Sequence, residues 1–174
     1  MSTAAVKLRE TATEKVREPA GDPALLLDTY IQLTRTVERL HRRHLDMLRF
    51  ELDRLGMESV SAAQVLMLTK IKEQSISVRD LVDRGYYLGS NASYNLKQLA
   101  ECGLIEQERA PHDRRSTRVK LSAKGKALCA QIADAEARHA RAVAAAGDSQ
   151  ALAAACQALR RLEGAWGDYI RTGV

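Results

Sequence analysis

Residues 102–125 read CGLIEQERAPHDRRSTRVKLSAKG, and this segment carries the strongest local signals in the chain. Leu104 and Ile105 on one side and residues 119–121 on the other alternate in character, as short antiparallel strands do. Pro111 lies in the loop between them. The segment therefore predicts a two-stranded β-hairpin with a basic tip, and Ser122 is placed to cap a helix that follows it.

The positive charge of the protein is concentrated around this hairpin. The 174 residues include 27 basic and 22 acidic side chains, which gives a net charge of +5. Residues 109–126 hold seven of the basic side chains and one of the acidic ones, so the rest of the chain is close to neutral. A solvated charge cluster is the ordinary explanation. A phosphate-binding surface is the functional explanation.

Three short helices are predicted before the hairpin. The first follows a capping box formed by Ser61 and Gln64, and apolar residues recur behind it at helical spacing. Short helices followed by a hairpin constitute a winged helix-turn-helix. The predicted boundaries are a first helix to about Glu73, an extended Ser75-Ile76, a second helix from Ser77 to Gly85, and a third from Gly89 to Gly103.

Long amphipathic helices flank this region. The first starts at Asp22-Pro23 and continues to Gly56, about 33 residues or roughly 50 Å, which is more than a small domain covers. Its apolar stripe is therefore expected to pack on a second chain. The predicted fold is mainly α with a small β-hairpin wing: a flexible arm over 1–21, a dimerisation helix over 22–58, a winged helix-turn-helix over 59–121, and C-terminal dimerisation helices over 122–174. The predicted dimer-interface residues are Leu26, Tyr30, Leu33, Leu159, Leu162, Trp166 and Ile170.

The helix over residues 90–102 is the candidate recognition helix. At 100° per residue, Ala92 and Leu99 lie on the same side as Leu96, so this side is expected to face the core. The opposite face carries amides, hydroxyls and one lysine, with no carboxylate before Glu101. Such side chains can hydrogen-bond base edges in a major groove. The predicted contact residues are Ser90, Asn91, Ser93, Tyr94, Asn95, Lys97 and Gln98.

The hairpin supplies a second predicted contact. Its tip, Asp113-Arg114-Arg115, presents two guanidinium groups, and arginine enters a narrow minor groove favourably. Asp113 would repel phosphate, so it is expected to orient an arginine by a paired hydrogen bond. Arg118 completes the predicted wing contacts.

Residues 102–109 and 113–125 resemble the signature of the MarR (multiple antibiotic resistance regulator) family of bacterial winged-helix transcription factors. The resemblance extends over about residues 24–172. It implies a homodimer on double-stranded DNA, with recognition helices in successive major grooves and wings, carrying Asp113 and Arg115, in the flanking minor grooves. It also implies a small-molecule effector between the DNA-binding lobe and the dimer helices. Residues 85–99, where Gly-Tyr-Tyr-Leu-Gly replaces the usual Leu-Gly-Leu-type turn, are similar to an alphaproteobacterial subgroup.

Other classes of function are disfavoured. No apolar run approaches the roughly 20 residues of a membrane-spanning helix, and residues 1–19 lack the apolar core of a secretory signal. The three cysteines are widely spaced, and no catalytic or phosphate-loop motif appears. We therefore expect a cytoplasmic protein with no membrane partner, no enzymatic activity, no metal and no cofactor. The sequence predicts a homodimeric repressor that binds a pseudo-palindromic DNA operator, and the family resemblance implies that a small molecule controls it. The alternatives are a helical protein-interaction module and an architectural DNA-binding protein of low specificity.

Overall fold

The computed structural model describes residues 22–71, 75–85, 89–110, 113–146 and 149–173, so the predicted flexible arm lies outside the described residues. The chain divides into two compact units, Met1–Arg43 and His44–Val174. The fold is mainly α with one small antiparallel sheet, as predicted. The elements are α1 Pro23–Arg54, α2 Ala62–Lys70, β1 Ile76–Ser77, α3 Val78–Gly85, α4 Gly89–Glu101, β2 Ile105–Ala110, β3 Asp113–Leu121, α5 Ala123–Ala146 and α6 Ser149–Thr172.

The ends of α1 follow from local chemistry. The Asp22 carboxylate accepts a hydrogen bond from the backbone N–H of Ala24 at 3.0 Å, and Pro23 occupies the first helical position. At the other end, Gly56 has a φ of 67°, a conformation that glycine adopts without a steric penalty. The backbone N–H groups of Gly56 and Met57 then bond back to the last turn of the helix. The predicted start and stop of α1 are confirmed.

The capping box of α2 is present, but the helix is shorter than predicted. Ser61 and Gln64 each accept a hydrogen bond from the other residue's backbone N–H. The helix ends at Lys70, and Ile71 is already extended with φ −82° and ψ 103°. The expected continuation to Glu73 is therefore wrong at Ile71, because this side chain is buried in the core from an extended backbone rather than from a helical turn. Residues 72–74 lie outside the described part of the chain.

The sheet has three strands in the order β1–β3–β2, which corrects the expected two-stranded hairpin. Ile76 pairs with Val119, and Ser77 pairs with Arg118. Strand β1 has only two residues, too few to show the alternation of apolar and polar side chains that predicts a strand. It forms because the edge of β3 is available to pair with it. Ser77 also caps α3, since its hydroxyl accepts from the backbone N–H of Asp80 at 3.0 Å.

The core lies between the helix-turn-helix, the sheet, the last turns of α1 and the first half of α5, all within the second unit. Each element contributes one apolar face. The buried apolar residues are Leu48, Leu52, Val60, Ala62, Val65, Met67, Leu68, Ile71, Leu81, Ala92, Leu96, Leu99, Leu104, Ile105, Val119, Leu128, Ile132 and Ala135. No helix among the described residues is long and apolar enough to cross a membrane.

A buried carboxylate joins the end of α1 to α5. Glu51 is only 4% exposed, and its oxygens lie 2.8 Å from Arg54, 3.0 Å from Arg138 and 3.1 Å from Nε2 of His139. Burial alone would raise the pKa of Glu51. The hydrogen bond and charge of Arg54, together with the charge of Arg138, outweigh burial and hold this pKa below its ordinary value. Glu51 is not among the residues predicted from the sequence.

Candidate nucleic-acid interface

Helix α4 has the orientation that its sequence predicts. Ala92, Leu96 and Leu99 are buried, so one side of the helix is fixed in the core. The other side carries Asn91, Ser93, Tyr94 and Lys97, which are exposed, with Tyr94 at 64%. Asn95 and Gln98 are half-buried at the edge of this face, and the side chain of Ser90 lies outside the described part.

An acidic side chain lies at the C-terminal end of the polar face of α4. Glu101 is the last residue of the helix, and its carboxylate accepts a hydrogen bond from Nε2 of Gln98 at 3.0 Å. Its other oxygen lies 3.9 Å from Nζ of Lys97. Two of the seven predicted recognition residues therefore have an acidic partner within the same helix, an arrangement that the i,i+3 and i,i+4 spacing allows.

Hydrogen bonds join the end of α4 to the start of α5, and they determine where the hairpin begins. Gly103 has a φ of 70°, and the N–H groups of Gly103 and Leu104 bond back to the carbonyls of Ala100 and Leu99. The Ser122 hydroxyl donates to the carbonyl of Gly103 at 2.7 Å and accepts from the N–H of Gly125 at 3.0 Å. The base of the wing is thus held rigidly against the recognition helix.

Strands β2 and β3 carry the wing away from this base. They pair from Ile105–Leu121 to Arg109–Thr117, and the register shifts between Arg109 and Ala110, so that Ala110 pairs with Asp113. The side chains of the predicted tip residues Asp113, Arg114 and Arg115 lie outside the described part. Their contacts with DNA and the proposed pairing of Asp113 stay predictions.

Three basic residues of the charged segment are engaged within the protein. Arg118 donates from Nε to the Ser75 hydroxyl at 2.8 Å and from Nη2 to the Ser75 carbonyl. Lys120 contacts Glu108 and lies 3.2 Å from Glu106; hydrogen bonds to these two carboxylates raise the pKa of Lys120. Lys124 donates to a backbone carbonyl at 2.9 Å.

Arg118 therefore ties β3 to the segment before β1, although the sequence analysis grouped it with the DNA contacts. The counted charge overstates the positive surface near β3, because Glu106 and Glu108 lie across the sheet from Arg118 and Lys120. The residues of these acid–base pairs, Glu106 with Lys120 and Glu108 with Arg118, are at least ten positions apart in the sequence, so a count of local charge does not detect them. The register of the hairpin would have revealed them, since residues paired across antiparallel strands share a face.

A groove of about 730 Å³ lies between α3, α4 and the inner face of the sheet. Ser93 and Lys97 of α4 line one wall, while Gln107 and Thr117 of the wing line the other. Arg79, near the start of α3, also lines the groove. Arg79, Gln107 and Thr117 are not among the contact residues predicted from the sequence. Gln107 and Thr117 each lie two residues from a buried strand residue, Ile105 and Val119 respectively, so the two-residue period of the strands places them on the same face, toward α4.

The predicted dimer-interface residues are largely uncovered in the single chain. In the first unit, Leu26 and Tyr30 are exposed and Leu33 is half-buried. In the second unit, no residue of α6 is buried; Leu159 and Leu162 are half-buried, and Trp166 and Ile170 are 37% and 84% exposed.

The helix-turn-helix, the three-stranded sheet and the outward polar face of α4 define a winged-helix DNA-binding protein. Residues 60–125 match a family model described as a winged helix DNA-binding domain. Over 155 residues, the chain is 43% identical to the exopolysaccharide II synthesis transcriptional activator ExpG of Rhizobium meliloti (strain 1021); the alignment covers 88% of this chain and 79% of ExpG.

Solved structures of MarR-type regulators have the same fold. A cysteine-to-serine variant of MarR from E. coli complexed with operator DNA superposes with a TM-score of 0.67 at 22% identity, covering 79% of this chain and 97% of that one. BpsR of Bordetella bronchiseptica, whose DNA binding is regulated by 6-hydroxynicotinic acid, gives 0.64 at 20% identity, covering 76% and 98%. The chain belongs to the MarR family of transcriptional regulators.

Proposed function

We propose that the protein acts in the cytoplasm as a homodimer that binds a pseudo-palindromic operator. Helix α4 enters the major groove, and the wing tip, with Arg114 and Arg115, enters the adjacent minor groove. One observation carries the proposal: α4 is fixed in the core by Leu96 and Leu99 while Asn91, Tyr94 and Lys97 project from the opposite side. Amide and hydroxyl groups on a rigid helix are suited to reading base edges.

The structure also suggests how the contacts divide. Residues on α4 would read bases, whereas arginines of the wing would sense groove width and charge. Arg118 is instead proposed to position the wing through Ser75. Because basic side chains would displace counterions from phosphate, the logarithm of the binding constant should fall by about 0.9 per neutralised phosphate for each tenfold rise in salt.

Dimerisation is proposed from the two long flanking segments, 22–58 and 122–174. Leu26 in the first unit and Ile170 in the second are large apolar side chains left in solvent by the single chain. Exposed apolar patches of this kind mark protein interfaces. A two-fold dimer would place the two copies of α4 about one helical turn of DNA apart, and so it would require a pseudo-palindrome.

The sign of regulation has two candidates. The family resemblance favours a repressor, which blocks a promoter by occupying it. The similarity to ExpG favours activation instead, because ExpG is a transcriptional activator and this chain is 43% identical to it. Both use the same DNA-binding surface, and the position of the operator relative to the promoter decides between them. A promoter-reporter assay with and without the protein distinguishes the two.

We also propose that a small-molecule effector controls DNA binding. The support is the BpsR structure, in which 6-hydroxynicotinic acid regulates DNA binding by a protein of the same fold. An effector that releases DNA must bind more tightly to a dimer whose recognition helices are mis-spaced for DNA than to the DNA-binding dimer. Titrating 6-hydroxynicotinic acid into the protein–operator complex tests this route: release of DNA supports it for that probe, and unchanged binding refutes it for that probe.

Selection of bound fragments from random DNA, followed by gel shift, tests the central proposal. We expect one enriched sequence with two-fold symmetry, and a shift that a scrambled competitor does not remove. A helical protein-interaction module would produce no shift. An architectural protein would shift operator and scrambled DNA alike, so either result would contradict sequence-specific reading.

A further inference from the structure

Glu101 stands beside two of the side chains that are proposed to meet DNA. Its carboxylate accepts from Nε2 of Gln98 at 3.0 Å and lies 3.9 Å from Nζ of Lys97. It is the only acidic residue in the sequence of α4. A carboxylate also repels phosphate, so its place at the edge of a DNA-binding face needs an explanation.

The position of Glu101 at the C-terminal end of the helix does not supply that explanation. Glu101 is the last residue of α4, where the unpaired carbonyls give the helix end a partial negative charge that disfavours a carboxylate. The turn at Gly103 already bonds two of these carbonyls through the N–H groups of Gly103 and Leu104. What Glu101 adds is therefore its contacts with Gln98 and Lys97.

The contact with Gln98 restricts the orientation of an amide. A glutamine side chain has a donor nitrogen and an acceptor oxygen, and a free amide can present either by rotating through 180°. An ionised carboxylate only accepts hydrogen bonds. Glu101 therefore favours the rotamer in which Nε2 of Gln98 faces the helix end, and it disfavours the rotamer that would bring Oε1 against a negative charge.

We propose that Glu101 is a positioning residue that sets the base preference of Gln98. With Nε2 held by Glu101, Gln98 offers its carbonyl oxygen to the DNA, and it would accept from the exocyclic amino group of adenine or cytosine. Guanine and thymine present acceptors at the corresponding major-groove positions, and two acceptors repel one another. This inference rests on the proposed function, in which α4 reads the major groove.

The test compares operator selection by four versions of the full-length protein. Gln98→Ala identifies the base pair that Gln98 reads, as the position where preference disappears. At that position the wild type should prefer adenine or cytosine by about fivefold, the lower end of the discrimination expected of a paired contact, because Gln98 makes a single hydrogen bond to the base. Glu101→Ala should reduce this preference to less than about threefold, because the amide can then rotate. Glu101→Asp should retain most of it, since a carboxylate at position 101 still only accepts hydrogen bonds.

A second readout separates orientation from charge. Glu101→Ala also removes a negative charge near Lys97, so it should bind all DNA more tightly, whereas its loss of base preference should be confined to the Gln98 position. Glu136→Ala, at an exposed acidic residue of α5, is the matched control and should change neither property. Circular dichroism and thermal melting of each variant establish that the protein is folded.

Three outcomes would overturn the proposal. Glu101→Ala could retain the wild-type preference at the Gln98 position. Gln98→Ala could change preference at no position. Glu101→Ala could lower base preference equally at every position of the operator, which would assign the effect to charge and not to Gln98. Failure of the proposed function is distinguishable from all three, because the wild type itself would then select no sequence.

Discussion

Replacing Gly125 with alanine should destabilise the protein, because the added Cβ would overlap with the backbone of Leu104. Gly125 is the third residue of α5, and a Cβ built there would lie 2.0 Å from the carbonyl oxygen of Leu104. Real Cβ contacts essentially never fall below 3.0 Å, so backbone must move by about 1 Å. The same carbonyl accepts the N–H of Ser122 at 3.1 Å, and the Leu104 side chain is fully buried, so any movement disturbs both the base of the wing and the core.

The expected cost of this overpacking is about 1–3 kcal/mol. Gly164→Ala is the matched control, because nothing lies within 4 Å of a Cβ at that helical position. Both substitutions gain the helix propensity of alanine over glycine, about 1 kcal/mol, so the difference between the two variants isolates the clash.

Urea unfolding followed by circular dichroism, at equal protein concentration, measures this difference. We expect Gly125→Ala to be less stable than Gly164→Ala by about 1–3 kcal/mol, or roughly 2–12 °C in Tm. Equal stability of the two variants would refute the reasoning, because it would show that α5 does not approach Leu104 as closely as the structure has it.

Three further predictions concern the buried carboxylate, the wing and the dimer. Because the folded-state pKa of Glu51 is lowered, its stabilisation is present above its unfolded pKa and is lost as pH falls through the folded pKa. Glu51→Gln should therefore cost about 1–3 kcal/mol at pH 7 and progressively less in acid, and a cost independent of pH in urea titrations would contradict this. Arg115→Ala should weaken operator binding by about 1–3 kcal/mol at fixed salt, and unchanged affinity of the folded variant would remove the wing from the proposal. Deletion of residues 148–174 should leave a monomer in sedimentation experiments, since α6 supplies much of the proposed interface; a stable dimer would exclude that role.

Several features of the fold were accessible from sequence because their causes are local. Capping by Ser61, Ser77 and Ser122 involves residues three positions apart, and the glycine stops at Gly56 and Gly103 depend on one backbone angle each. The spacing of the apolar residues likewise predicted which side of α4 is buried. The contact between Gln98 and Glu101 is just as local, and its i,i+3 spacing was a signal that the sequence analysis did not use.

Features that depend on distant residues were not accessible in this way. Strand β1 exists because β3, more than 40 positions later, offers it an edge, and Arg118 bonds Ser75 across a separation of 43 residues. Glu51 looks like an ordinary surface residue of an amphipathic helix until Arg138 and His139 are brought to it by α5. The apolar periodicity of α1 or of α5 does not predict this contact between the two helices.

The amino-acid order alone predicted the helices, the capped and glycine-terminated helix ends, the pairing of β2 with β3 and the inward and outward sides of α4, because hydrogen-bonding caps and apolar spacing act within a few residues. It did not predict the end of α2 or the third strand. Only the folded chain determined which charges remain available to a partner. Arg118, Lys120 and Lys124 count as positive in the sequence, yet each is bound to oxygens of the protein itself. The physical reason is that electrostatic energy depends on separation in space, which the fold determines, and not on separation along the chain.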